Sequence, residues 1–163
     1  MLPDPLHPAV VHLPLALAVV IPILTVLGTL LIHGGFLPPR TWAVVVLLQA
    51  LLVGSAWLAM ETGEDQEERV EEIVAERHIE SHEEAAERFV WIAAAGLVVT
   101  ALGLLPAGAG ALGRVAGTLI ALGVLAAGVY VGHSGGELVY KYGAAGAYVE
   151  SPARSATPHR DED

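Results

Sequence analysis

Four runs without a single charged residue limit what this chain can fold into. They cover residues 9–32, 42–60, 89–105 and 115–132. A helix needs roughly 20 mainly apolar residues to cross the hydrocarbon core, and about 17 suffice at the short end. Each run is apolar all round rather than alternating, which excludes the strands of an outer-membrane barrel. Four buried core helices in a soluble chain of 163 residues would leave almost nothing to cover them. The expected fold is therefore all-α: an integral membrane four-helix bundle. Composition agrees, with 54% hydrophobic residues, 16% charged residues and a mean hydropathy of +0.58.

The segments between the runs divide the chain further. The flank of the first run has no Lys or Arg and no small-residue cleavage site follows, so it reads as a span rather than a cleavable leader. Pro38 and Pro39 separate the first two spans. Residues 106–114, rich in Gly and Ala, read as the turn of an antiparallel hairpin between spans three and four. The membrane domain is placed at 1–146. A tail over 147–163, mixing Pro, Ser and charges, is expected to be flexible.

Charge is distributed unequally. Eight basic residues stand against eighteen acidic ones, for a net charge of −10. No clustered Lys and Arg are available to contact phosphates, so a nucleic-acid partner is excluded. With four spans, all eighteen carboxylates fall on the side that carries both termini. So do His7, His12, His78, His82, His133 and His159. The other side has His33, Arg40 and Arg114 and no acid. The first span has Arg40 after it and no Lys or Arg before it, which points to both termini outside the cytoplasm. The expected location is a bacterial inner membrane.

The segment 64–88 contains neither Gly nor Pro and runs straight into span three. Val70, Ile73, Val74, Ala85 and Phe89 recur at helical spacing, so an amphipathic acidic helix is expected to extend span three out of the membrane. His78 and His82 stand at i and i+4 on about that face, a spacing that lets two imidazoles point the same way. Alone, this pattern also describes a solvated acidic helix. It is neither the Glu-x-x-His di-iron arrangement nor His-Glu-x-x-His.

His12 lies about one turn inside span one, His133 at the end of span four, and His82 near the same rim. An ionisable group at a membrane span is costly and points to function. Two chemistries suit imidazoles from several helices in one layer. One is a b-type haem with His12 and His82 as axial ligands and His133 as substitute. His7 and His78 would then support it or bind another centre, with Arg88 and Lys141 near the propionates. A slot for the ring could come from Gly113, Gly117, Ala121, Gly128 and Gly132, although that ladder equally suits close helix packing. The other chemistry is a Zn or Cu site using His12, His82 and His133. A cofactor-free membrane subunit or assembly factor, docking a cationic partner through the acidic face, is the third reading. The absence of cysteine excludes thiolate zinc sites, iron–sulfur clusters and c-type haem attachment. No nucleophile elbow or phosphate-binding loop is present, so an electron carrier is favoured over a stand-alone enzyme. Besides lipid, the expected partners are a redox protein and a second copy of the chain.

His7-Pro8-x-x-Val11-His12-x-Pro14, His82 ahead of span three, and Gly135-Gly136-Glu137-Leu138-Val139-Tyr140 together resemble a bacterial family. It is the four-helix membrane proteins called domain of unknown function 2231. The resemblance covers residues 5–146. In that family the module is sometimes fused to a Rieske iron–sulfur domain, which implies membrane redox chemistry. This chain departs from the pattern in its long acidic segment with His78, and in His133-Ser134 before the Gly-Gly pair.

Overall fold

The computed structural model describes residues 5–149, which are all-helical and contain no strand. The α-helices are α1 (His7–Val10), α2 (His12–His33), α3 (Ala43–Glu64), α4 (Glu67–Glu71), α5 (Glu76–Ala101) and α6 (Ala107–Tyr140). Short 3₁₀ turns occupy Pro39–Trp42, Leu102–Leu104 and Ala144–Tyr148. Four of the helical stretches are long and apolar enough to cross a membrane: His7–His33, Pro39–Glu64, Glu76–Leu104 and Ala107–Tyr140. They form a closed antiparallel bundle in which α2 packs on α3, α3 on α5, α5 on α6 and α6 back on α2.

Leu17, Ala18, Ile21, Leu52, Ala56, Phe89, Val90, Ala93, Ala121 and Val124 fill the core. The outer surface is equally apolar, with Leu30, Leu47, Val98 and Leu119 each more than 60% exposed. In lipid that exterior gives no hydrophobic drive for helix association, so close van der Waals packing has to hold the bundle. Gly128 shows how this works. A Cβ there would lie 3.3 Å from the Phe89 ring and 3.4 Å from the Ala18 Cβ. At Gly117 it would meet Thr100 and the Trp42 ring, at 3.2–3.4 Å. The small-residue ladder of span four is thus filled by neighbouring helices rather than left open as a cofactor slot. Gly132, its last member, is exposed.

Helix ends differ from the charge-free runs. α3 continues to Glu64, and α6 begins at Ala107, so the expected turn over 106–114 is mostly helix. The reversal is made instead by Leu102–Leu104 and by Leu105, which is extended ahead of Pro106. The acidic segment is not one helix over 64–88. It breaks at Ala75, whose ψ of 131° is extended, and α5 starts at Glu76. Val74 and Ile79 are instead buried with Ala144 against Val70, Leu138 and Tyr142 in a small second core outside the main bundle. Ile73, expected on the inner stripe, is 49% exposed. The expected tail lies almost wholly outside the described residues, as does His159.

Candidate functional site

The acidic rim brings four pieces of chain to one layer: α1, the end of α3, the charged start of α5 and the end of α6. Residues 76–88 of α5 carry seven charged side chains, so this part stands outside the hydrocarbon and the apolar run begins at Phe89. His82 occupies the half-buried inner side of that stretch. His7 enters from α1, which packs on α3. The two imidazoles face each other edge to face, with centroids 6.4 Å apart and planes at 84°.

Hydrogen bonds fix which nitrogen of each ring is protonated. His7 Nδ1 lies 2.7 Å from the Ala59 carbonyl oxygen, which can only accept. His82 Nδ1 lies 2.8 Å from Ser134 Oγ. The Ser134 hydroxyl gives its one proton to the Val131 carbonyl at 2.9 Å, so it must accept from His82. Both rings therefore carry hydrogen on Nδ1 and present a bare lone pair at Nε2. A hydrogen bond from the other ring nitrogen is the usual support for a metal-ligating imidazole.

Burial keeps these rings neutral. It pushes His82 down to about 4, with the neighbouring His7 adding to the shift. His7 is also lowered by burial, against an opposing pull from the Ala59 carbonyl. Two glycines admit the rings. A Cβ on Gly135 would lie 3.1 Å from His82 Cε1, and one on Gly63 would lie 3.3 Å from the His7 ring. Gln66 pins α1 in place: its Oε1 accepts from the backbone N–H groups of Leu6 (3.1 Å) and His7 (3.3 Å), while its amide donates to the Tyr148 hydroxyl (2.9 Å).

The other expected site residues are placed elsewhere. His12 and His133 are exposed. His78 stacks on Tyr142, with centroids 3.8 Å apart and planes at 15°. Arg88 is paired with Glu84 at 2.7 Å and Lys141 with Glu137 at 2.9 Å, both on exposed helix surface. The hydrogen bond from Lys141, ahead of its charge, holds the Glu137 carboxyl below the usual range. The ring that faces His82 is that of His7, while His12 lies on the exposed surface. Ser134, Ala59, Gly63 and Gln66 were not singled out from the sequence as parts of a site; the adjacency of Ser134 to the Gly135-Gly136 pair was the available signal.

Beside this pair, a groove between α3 and α5 is lined by Trp57, Trp91, Glu80, Glu83 and Glu87, among others. Burial, followed by repulsion from Glu67, Glu64, Glu80 and Glu71, raises the Glu83 carboxyl above its usual range. Among the described residues, no group of three or more His, Asp or Glu converges as a metal site. No protein-family model matches the chain, and no characterised protein or solved structure matches it significantly.

Proposed function

We propose that this chain is a membrane redox module that holds haem b between His7 and His82 at its acidic rim and exchanges electrons with a cationic protein partner. The observation that carries this reading is the pair of Nδ1-tethered imidazoles with bare Nε2 lone pairs. His7 and His82 would hold the metal through these two Nε2 atoms, the ring nitrogens that their hydrogen bonds leave unprotonated. Haem needs two protein ligands and supplies one-electron chemistry when bound. The resemblance to a family with Rieske-fused members, in a bacterial inner membrane with both termini outside, is consistent with that use. The carboxylates around Glu83 would orient a cationic partner.

A second reading, a single Cu or Zn ion on the same pair, is favoured by the close approach of Gly63 and Gly135 to the rings, which suits a small ligand. Oxidised and dithionite-reduced visible spectra, with iron, copper and zinc counted on the same detergent-purified sample, separate the two. Haem gives a Soret band, sharp reduced α and β bands and near-stoichiometric iron. His7→Ala and His82→Ala each abolish the bands, whereas His12→Ala leaves them unchanged. A colourless sample containing copper or zinc supports the ion. A sample expressed with ample haem that holds neither overturns both readings and leaves the cofactor-free subunit.

A further inference from the structure

Arg114 is the feature that the acidic rim does not explain. It lies at the opposite end of the bundle, directly before the charge-free run 115–132, and is only 8% exposed. Its Nη1 donates to the Gly103 carbonyl at 2.7 Å. A guanidinium has five N–H donors, and among the described residues this is its one hydrogen bond. None of its nitrogens is a fully enclosed atom without a partner, so the remaining N–H groups open to the surface. The side chain is set between two glycines. A Cβ on Gly103 would lie 2.9 Å from Arg114 Cγ, and one on Gly110 would lie 3.2 Å from Nη1.

Among the described residues this charge has no counter-ion within reach. No Asp or Glu occurs in residues 5–60 or 89–136. Along α6, Glu137 is ~34 Å away at ~1.5 Å per residue, and along α5 the distance from Gly103 to Glu87 is ~24 Å. Arg40, exposed on the same side, adds to the positive potential. A nearly buried cation that no carboxylate of the described residues approaches is favoured by an anion from outside them. Leu104 and Leu105, exposed in the chain reversal beside Gly103, would lie against acyl chains rather than water.

We infer that Arg114 binds the phosphodiester of a phospholipid headgroup, anchoring one lipid at the acid-free rim. Guanidinium and phosphate match as planar fork and tetrahedral oxygens. Basic pockets between membrane helices take lipid phosphates in this manner. This site is independent of the histidine pair.

Native mass spectrometry of detergent-purified protein with added dioleoyl phosphatidylglycerol, or with phosphate-free dioleoylglycerol, tests the inference. The wild type should retain one phosphatidylglycerol and little dioleoylglycerol. Arg114→Gln should lower that retention by at least about tenfold, while Arg77→Gln, on the acidic side, should not. Equal retention by Arg114→Gln, or equal retention of the two lipids, overturns the site. Release of the lipid by inorganic phosphate would reassign the site to the free anion and overturn the lipid. Should Arg114→Gln fail to fold, 15N-arginine-labelled Arg40→Gln protein in phosphatidylglycerol vesicles gives an independent readout. One guanidinium should then be dephased by 31P in solid-state NMR, and no dephasing overturns the inference.

Discussion

Acidification should titrate an ordinary histidine near pH 6.5 and leave His82 neutral to about pH 4. The cause is geometric: the ring is mostly buried, and His7 stands 6.4 Å away. In the unfolded chain the same imidazole takes up its proton as the pH falls through 6.5. Stability from this residue is therefore fully present above pH 6.5, is lost as the pH falls towards 4, and changes no further below. A span of roughly 2.5 units at 1.36 kcal/mol each puts the loss at roughly 3 kcal/mol. His7 shifts in the same direction and Glu83 in the opposite one, so the bulk acid profile mixes several groups. Comparison with His82→Gln removes that ambiguity. Reversible unfolding in mixed micelles, measured between pH 8 and 4, should show a steeper acid loss for the wild type than for the variant. Histidine 15N shifts of the cofactor-free protein should follow the ring directly, with protonated Nδ1 and bare Nε2 persisting down to about pH 4. A His82 midpoint near 6.5, or parallel acid slopes for the two proteins, would refute the geometry on which the site rests.

Three further outcomes probe the packing around that pair. Ser134→Ala leaves the His82 Nδ1–H without its acceptor and should cost about 1–3 kcal/mol; a rise in the Nε2–H tautomer, read from 15N shifts, would mark the cause. Gly135→Ala places a Cβ 3.1 Å from His82 Cε1 and should displace the ring, whereas Gly136→Ala meets nothing within 4 Å. The latter should stabilise α6 by up to about 1 kcal/mol, and identical histidine spectra in the two variants would count against the contact. Gln49→Leu should change stability by less than about 1 kcal/mol, or raise it, because it removes an orphaned acceptor. Gln49 Oε1 has no partner, and its amide donates to the Ala93 carbonyl at 3.1 Å. A large loss on unfolding that variant would show that the amide is integral to the bundle.

The four spans were legible because a charge inside hydrocarbon is expensive enough to leave a visible gap in the sequence. The ends of the helices were not. Charge-free runs report membrane thickness, whereas helices continue into water wherever residues such as Glu61 and Glu64 favour them. The break at Ala75 carries no Gly or Pro. It follows from tertiary contacts that bury Val74 and Ile79 with Ala144, far along the chain. Helical spacing placed His82 at the rim, yet gave no way to choose between His7 and His12. The choice depends on α1 packing against α3 and on Gln66 holding its backbone, contacts separated by about fifty to sixty positions. Gly135 was visible as part of a motif; its role as clearance for an imidazole required the ring's position.

The polar groups of the bundle are segregated along its axis, and this bears on what the bundle can carry. The His7–His82 pair occupies one rim, Arg114 the other, and between them lie Leu52, Ala93, Ala121 and Val124, each at most 2% exposed. Gln49 is the polar side chain in this middle layer whose oxygen goes unpaired. A path for ions or protons needs a chain of polar groups or water that can exchange partners. An orphaned carbonyl oxygen amid packed alkyl groups is the opposite arrangement. Electron exchange at the acidic rim needs no such path, since a cofactor held by His7 and His82 would meet its partner on the same side of the membrane. A Gln49→Leu protein that keeps the histidine-dependent spectrum and its electron exchange with a soluble reductant would fit this segregation. Loss of exchange with the spectrum intact would instead place the middle of the bundle on the functional route.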